Sequence, residues 1–234
     1  MPTILAAETD GAISSDPYPL EGWDVSHDNT GAGGYVWDGS SSIPASVYQN
    51  GGDVTTPPAG RYTIERAFFA FDTSGISLVP DTAAITFYSR FDGQNESLGY
   101  ILVKATAPDL VTDIIDTDFS SLDGWKVGFN NTDLTAYSAQ NTAVFVADVF
   151  PYGVNGFTMT LNDAAKADMA SSDILKICLM DYNYDYLDDD PYDESLPNGQ
   201  IGFEGYPWGA DVAGVENATP KLDYSGYASC WYGL

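Results

Sequence analysis

Basic residues are scarce in this chain. Its 234 residues hold 8 Lys and Arg against 34 Asp and Glu, a formal net charge of −26. Phosphate recognition needs clustered Lys and Arg, so neither nucleic acid nor an anionic membrane surface is expected as a partner. Histidine occurs once, as His27, and cysteine twice, as Cys178 and Cys230. The cysteines lie far apart and in no metal-type spacing, so they read as two thiols rather than a bridge. Without a second His or a Cys pair, zinc sites and Ser-His-Asp or Cys-His machinery are not expected. No run approaches the ~18 apolar residues of a membrane span. The opening "MPTILAAETD" lacks both a basic n-region and a long apolar core, so a general secretory signal is not expected. Helical patterning is nearly missing too. One short helix is expected within "LNDAAKADMASSDI" (161–174), capped by Asn162 or Asp163.

What the chain does have is apolar and aromatic content, 44% and 14%, enough to bury a core. Short β-branched and aromatic runs alternate with Gly, Pro, Asn and Asp clusters, which predicts strands and turns. Strands are expected near 3–7, 11–14, 35–37, 61–71, 83–91, 99–106, 143–149, 155–161, 174–180, 200–205 and 219–227. Many short strands with almost no helix predict an all-β fold: a two-sheet antiparallel β-sandwich of the jelly-roll kind, with long loops and one short helix. Two long loops are expected, at 15–60 and 181–199. No composition shift marks a boundary, so residues 1–228 read as one domain and 229–234 as an aromatic tail.

The stretch "RAFFAFDTSGI" (66–76) carries the strongest signal. Strand residues alternate faces, so Ala67, Phe69 and Phe71 share one face and Arg66, Phe68 and Ala70 the other. A run apolar on both faces predicts a central strand of a covered sheet. A buried arginine there needs a carboxylate or carbonyls to fork onto, so Arg66 reads as a structural clamp. Asp72, Thr73 and Ser74 read as a turn fixed by side-chain bonds to the backbone, with Asp72 part of the structural set.

"RAFFAFDTSGI…DTAAITFYSRF" resembles the Arg-x-φ-φ-x-Phe-Asp-Thr-Ser-x-Ile signature and following strand of jelly-roll domains related to disaggregatase repeats and carbohydrate-binding modules. "GFTMTLNDAAKADMASSDILKICLMDYNYD" resembles that family's strand, short helix, penultimate strand and Asp-rich loop. "TPKLDYSGY" resembles its closing strand and "MPTILAAETDGAI" its opening one. Lys221 and Asp223 depart from the pattern, and "ASCWYGL" continues past the usual end. The resemblance implies a jelly roll and a non-catalytic role. Single-domain members look typical of phage structural proteins.

Three regions are candidates for contacts. In the loop 181–199, seven carboxylates fall within fourteen residues and no Lys or Arg intervenes. Such a loop is either solvated or gathers around a hard cation, which takes six to eight oxygens. Asp181, Asp185, Asp188, Asp189 and Asp190 are the candidate ligands, with Ca²⁺ the expected ion. Tyr182, Tyr184, Tyr186 and Tyr192 read as loop packing or as a sugar-stacking platform. Trp231, Tyr232 and Leu234 in the tail either fold back or anchor a neighbouring subunit. His27, beside Asp24 and Asp28, reads as a solvated loop residue, with metal ligation as the alternative. Two carboxylates suffice for acid–base hydrolysis, but no segment signals a cleft, so no enzyme is expected. The expected role is a structural protein on a virion surface, such as a phage capsid decoration, with other particle proteins or further copies as partners. The alternatives are a glycan-binding module, with Trp23, Trp37 or Trp208 stacking on sugars, and an extracellular filament subunit.

Overall fold

Strand β6 (Arg61–Asp72) is the axis of the molecule, and its two faces explain the layers around it. The structure, a computed structural model, describes residues 1–15, 27–28, 35–38, 43–50, 61–91, 98–126, 133–143, 155–188, 201–203 and 219–227. These form β1 (Thr3–Leu5), β2 (Gly11–Ser15), β3 (Val36–Asp38), β4 (Ile43–Pro44), β5 (Ser46–Asn50), β6, β7 (Pro80–Phe91), β8 (Leu98–Lys104), β9 (Asn141–Ala143), β10 (Asn155–Thr160), β11 (Ile174–Asp181), β12 (Ile201–Phe203) and β13 (Lys221–Tyr227). All pairings are antiparallel, and they build two sheets. One runs β1-β13-β7-β12-β4, with β10 also on β7. The other runs β3-β2-β6-β11-β8-β9, with β5 also on β6. The chain is therefore a two-sheet antiparallel β-sandwich.

Ala67, Phe69 and Phe71 of β6 point between the sheets. They meet Ile85 and Phe87 of β7, Leu102 of β8, and Ile177 and Leu179 of β11, all fully buried. Phe69 and Phe87 tilt across the gap with centroids 5.3 Å apart. Each buried aromatic or branched side chain contributes roughly 1.5–3 kcal/mol. Phe68 faces the other way, with Ile13, Ile101, Val103, Cys178 and Met180. That outer face is covered by a strap, residues 105–126, whose Ile114, Phe119 and Leu122 close a second core. The strap is why β6 is apolar on both faces. It presses close at Gly11, where a Cβ would lie 2.6 Å from Ile114 Cγ2 and 2.7 Å from the Trp37 carbonyl oxygen.

Two expectations change here. The region 15–60 is not simply loop: β3, β4 and β5 lie within it, and β5 pairs with the first five residues of β6. The run "SIPASVYQN" is short and broken by Pro44, which hides its strand character. The strand expected near 143–149 is described only as β9, and its later residues lie outside the described set. Helix α1 (Asp163–Ser171) is capped by Asn162, whose Oδ1 accepts the Ala165 N–H at 3.1 Å.

One edge of β6 is shared, and this sets the geometry that follows. β11 pairs with Ala67–Asp72, and β5 takes over at Arg61–Glu65. β11 therefore parts from β6 after Leu179, while staying on β8 as far as Asp181. The chain then turns outward over the strap side.

Candidate functional site

That turn is a single π-helical loop, Tyr182–Tyr186. Asp181 starts it: its Oδ1 accepts the Tyr184 N–H at 2.8 Å. The loop drops Asp185 onto Arg66. Neither side chain is reached by solvent. Arg66 Nε donates to Asp185 Oδ2 at 2.9 Å and Nη2 to Oδ1 at 2.6 Å, a two-pronged fork. Nη1 donates to the Phe119 carbonyl at 2.8 Å. The guanidinium lies between two rings, 4.0 Å from the Phe119 centroid and 4.3 Å from that of Trp125. The two-pronged fork suits the planar guanidinium and not an ammonium, and ring stacking favours it as well. Gly124 makes the placement of Trp125 feasible. Its φ is +93°, and a Cβ there would lie 2.3 Å from the Asp133 carbonyl oxygen.

His27 completes the cluster, and here the sequence reading is corrected: the ring is 1% exposed, not solvated. Nε2 lies 3.0 Å from the Asp185 carbonyl oxygen. A carbonyl only accepts, so Nε2 carries the proton. Nδ1 lies 3.4 Å from Asp28 Oδ1 and 3.5 Å from Asp188 Oδ1. The ring sits 5.7 Å from Trp125. Asp188 holds a left-handed backbone, φ 54°, which is uncommon for a residue with a side chain. His27 was missed because its partners come from a turn about 160 residues away. The one available signal was the arginine on β6, which needed a partner just beyond the end of the strand beside it.

The expected cation ligands are therefore dispersed. Asp185 is committed to Arg66, and Asp181 is buried at the cap. Asp188 is beside His27, while Asp189 and Asp190 lie outside the described residues. The reading of 181–199 as a solvated loop is corrected for Asp181 and Asp185. Both are buried, and the counter-charge of Asp185 is an arginine. Among the described residues no three His, Cys, Asp or Glu side chains surround one ion-sized point. Asp72 is exposed and accepts the Ser74 N–H at 3.0 Å, holding the turn and not touching Arg66. Tyr182, Tyr184 and Tyr186 are half-buried against the strap core, with Tyr182 and Tyr186 stacked at 5.5 Å. Trp37 is half-buried against the inter-sheet core. Trp23, Tyr192, Trp208, Cys230 and the tail residues Trp231, Tyr232 and Leu234 lie outside the described residues.

On the inner face of the same sheet, polar groups replace apolar ones. Tyr100 pairs with Asp181, and Ser14 with Glu65, all buried. Burial pushes the Asp181 carboxyl up to about 7, against the N–H bond from Tyr184 and helped by the Asp185 charge. Asp181 Oδ2 has no hydrogen-bond partner among the described residues. Burial, with the nearby Asp181 and Glu65 charges, also lifts the Tyr100 hydroxyl well above its ordinary value. The Cys178 thiol is raised well above its own, chiefly by burial, and is inert.

A separate cleft of about 410 Å³ opens where α1 meets β8 and β11. Lys104 Nζ lies 2.8 Å from Asp168 Oδ2, which also accepts the Tyr137 hydroxyl. Burial and this bond raise the Tyr137 hydroxyl far out of its ordinary range.

Fold and cluster together define an all-β sandwich locked by a buried charge clasp. No model of a known protein family matches this chain, and no curated protein is detectably similar to it.

Proposed function

We propose that this chain is a non-catalytic structural protein of a viral particle, a phage capsid decoration exposed on the virion surface and adhering to the main lattice. The observation that supports this reading is a set of exposed apolar side chains on turns and strand ends. Leu78 and Val79, 55% and 49% exposed, stand on the turn joining β6 to β7. Leu5 ends β1, two residues before the Ala7 N–H bonds Ala70. Val111, 87% exposed, follows Asp109, whose carbonyl holds Thr9. Adjoining exposed apolar groups such as Leu78 and Val79 mark interaction sites when they are part of a larger patch. The ordered motifs that resemble jelly-roll domains of phage structural proteins support the same reading.

Two measurements test it. Mass spectrometry of purified particles should find the chain in fixed ratio to the lattice protein. Leu78→Asp and Val111→Asp should each weaken rebinding to stripped particles at least tenfold without unfolding the protein. Absence from particles, or specific binding on a glycan array, would replace this reading with a carbohydrate-binding module.

A further inference from the structure

Lys104, Lys126 and Lys166 each hold a carboxylate at 2.8 Å: Asp168, Asp133 and Asp163. Lys176 differs. Its Nζ donates to the Thr106 carbonyl at 3.0 Å, and among the described residues no carboxylate closes an ion pair with it. In a chain with 34 acids and 8 bases, a lysine without a carboxylate is unexpected. Asp109 comes nearest to that part. Its carboxyl is held below its usual value chiefly by the Val111 and Thr112 N–H groups, with the Lys176 charge acting last and from beyond ion-pair distance. An ammonium carries three donors and accepts nothing, so Lys176 keeps N–H groups for an outside acceptor after bonding Thr106.

Lys176 lines the cleft of about 410 Å³ between α1, β8 and β11. Small-molecule sites usually span about 300–1,000 Å³. Ala105 and Ile174 give this cleft apolar wall. Lys104 and Tyr137 also line it, but both are committed to Asp168. From this arrangement we propose that the cleft binds a small monocarboxylic acid, with Lys176 Nζ meeting its carboxylate and Ala105 and Ile174 its apolar body. A charge-assisted N–H···O bond is about twice as strong as a neutral one, so a carboxylate adds what the Thr106 carbonyl alone does not give. Lys176 is half-buried, and a partly buried pair is screened less by salt than one on the open surface. Asp168 and Asp173 line the same cleft, and like charges brought together are costly. A second carboxylate on the ligand is therefore disfavoured, which sets the preference for a single one. This site is independent of the adhesion reading.

Titration of the full chain with benzoate, followed in ¹H–¹⁵N spectra, tests this. Benzoate should move the amide signals of residues 104–106 and 174–176 in a saturable way. Benzamide, of similar shape without the charge, and phthalate, with a second carboxylate, should each bind about tenfold more weakly or worse. Lys176→Gln keeps a donor for the Thr106 carbonyl, so it should melt like the unaltered protein yet weaken benzoate binding about tenfold. Lys126→Gln removes a lysine that does not line the cleft and should leave benzoate binding unchanged. A benzoate titration without saturable shifts overturns the proposal. So does equal binding of benzamide or phthalate, or an equal loss in the two lysine variants.

Discussion

Arg66 and Asp185 stand 119 positions apart in the chain, yet Nη2 and Oδ1 meet at 2.6 Å with no solvent on either. Everything on the strap side of the second sheet is organised by this pair: Phe119 and Trp125 lie against the guanidinium, and His27 hangs from the Asp185 backbone. The pair joins the central strand to the turn after β11, so it fixes where that turn can go.

Breaking the pair from one side should be far worse than replacing both partners. Asp185→Ala leaves a buried guanidinium without its counter-charge and should cost about 3–5 kcal/mol. Arg66→Met combined with Asp185→Leu removes both charges and should recover most of that loss. Urea unfolding of the three proteins decides; a double variant no more stable than Asp185→Ala would contradict the clasp.

Asp181 makes stability depend on pH in the opposite sense to an ordinary surface aspartate. Its folded carboxyl sits at about 7, raised by burial. In the unfolded chain an aspartate titrates near 3.9. Between these values the folded protein keeps a proton that the unfolded chain has lost, so this contribution falls as pH rises. Asp181→Asn keeps an acceptor for the Tyr184 N–H and carries no charge. Its advantage over the unaltered protein should be near zero at about pH 4 and reach on the order of 4 kcal/mol above about pH 7. Paired unfolding curves across that range measure it, and a constant difference would refute the assignment.

Gly124→Ala should be costly although no large group is lost. Its φ of +93° strains any side chain, and the Asp133 carbonyl oxygen occupies the space a methyl needs. A loss of about 1–3 kcal/mol is expected. Trp125 should leave the guanidinium, so near-ultraviolet circular dichroism should change along with the melting temperature. Unchanged spectra would show that the turn tolerates the methyl.

Asn162 has two jobs, and substitutions separate them. Oδ1 caps α1, while Nδ2 donates to the Ala136 carbonyl at 2.7 Å. Asn162→Ala loses both and should cost about 1–2 kcal/mol. Asn162→Asp keeps the cap but sets a carboxylate against that carbonyl, so it should gain little over alanine. Thermal melts rank the three proteins; an aspartate variant equal to the unaltered protein would make capping the sole role.

The sequence by itself determined the layer architecture, because alternation is local. The run Ala67, Phe68, Phe69, Ala70, Phe71 must bury two faces, and that alone calls for a covered central strand. It also required a carboxylate or carbonyl partner for Arg66, since a guanidinium cannot be buried unpaired. The identity of that partner was decided only in three dimensions. Asp185 is one of seven carboxylates within fourteen residues, and chemically they are interchangeable. What singles it out is register: β11 parts from β6 after Leu179, and one π-turn then carries the chain over Arg66. The burial of His27 follows from the same turn. A contact spanning more than a hundred residues leaves no periodic trace in the sequence, because it depends on where two sheets and a strap come together.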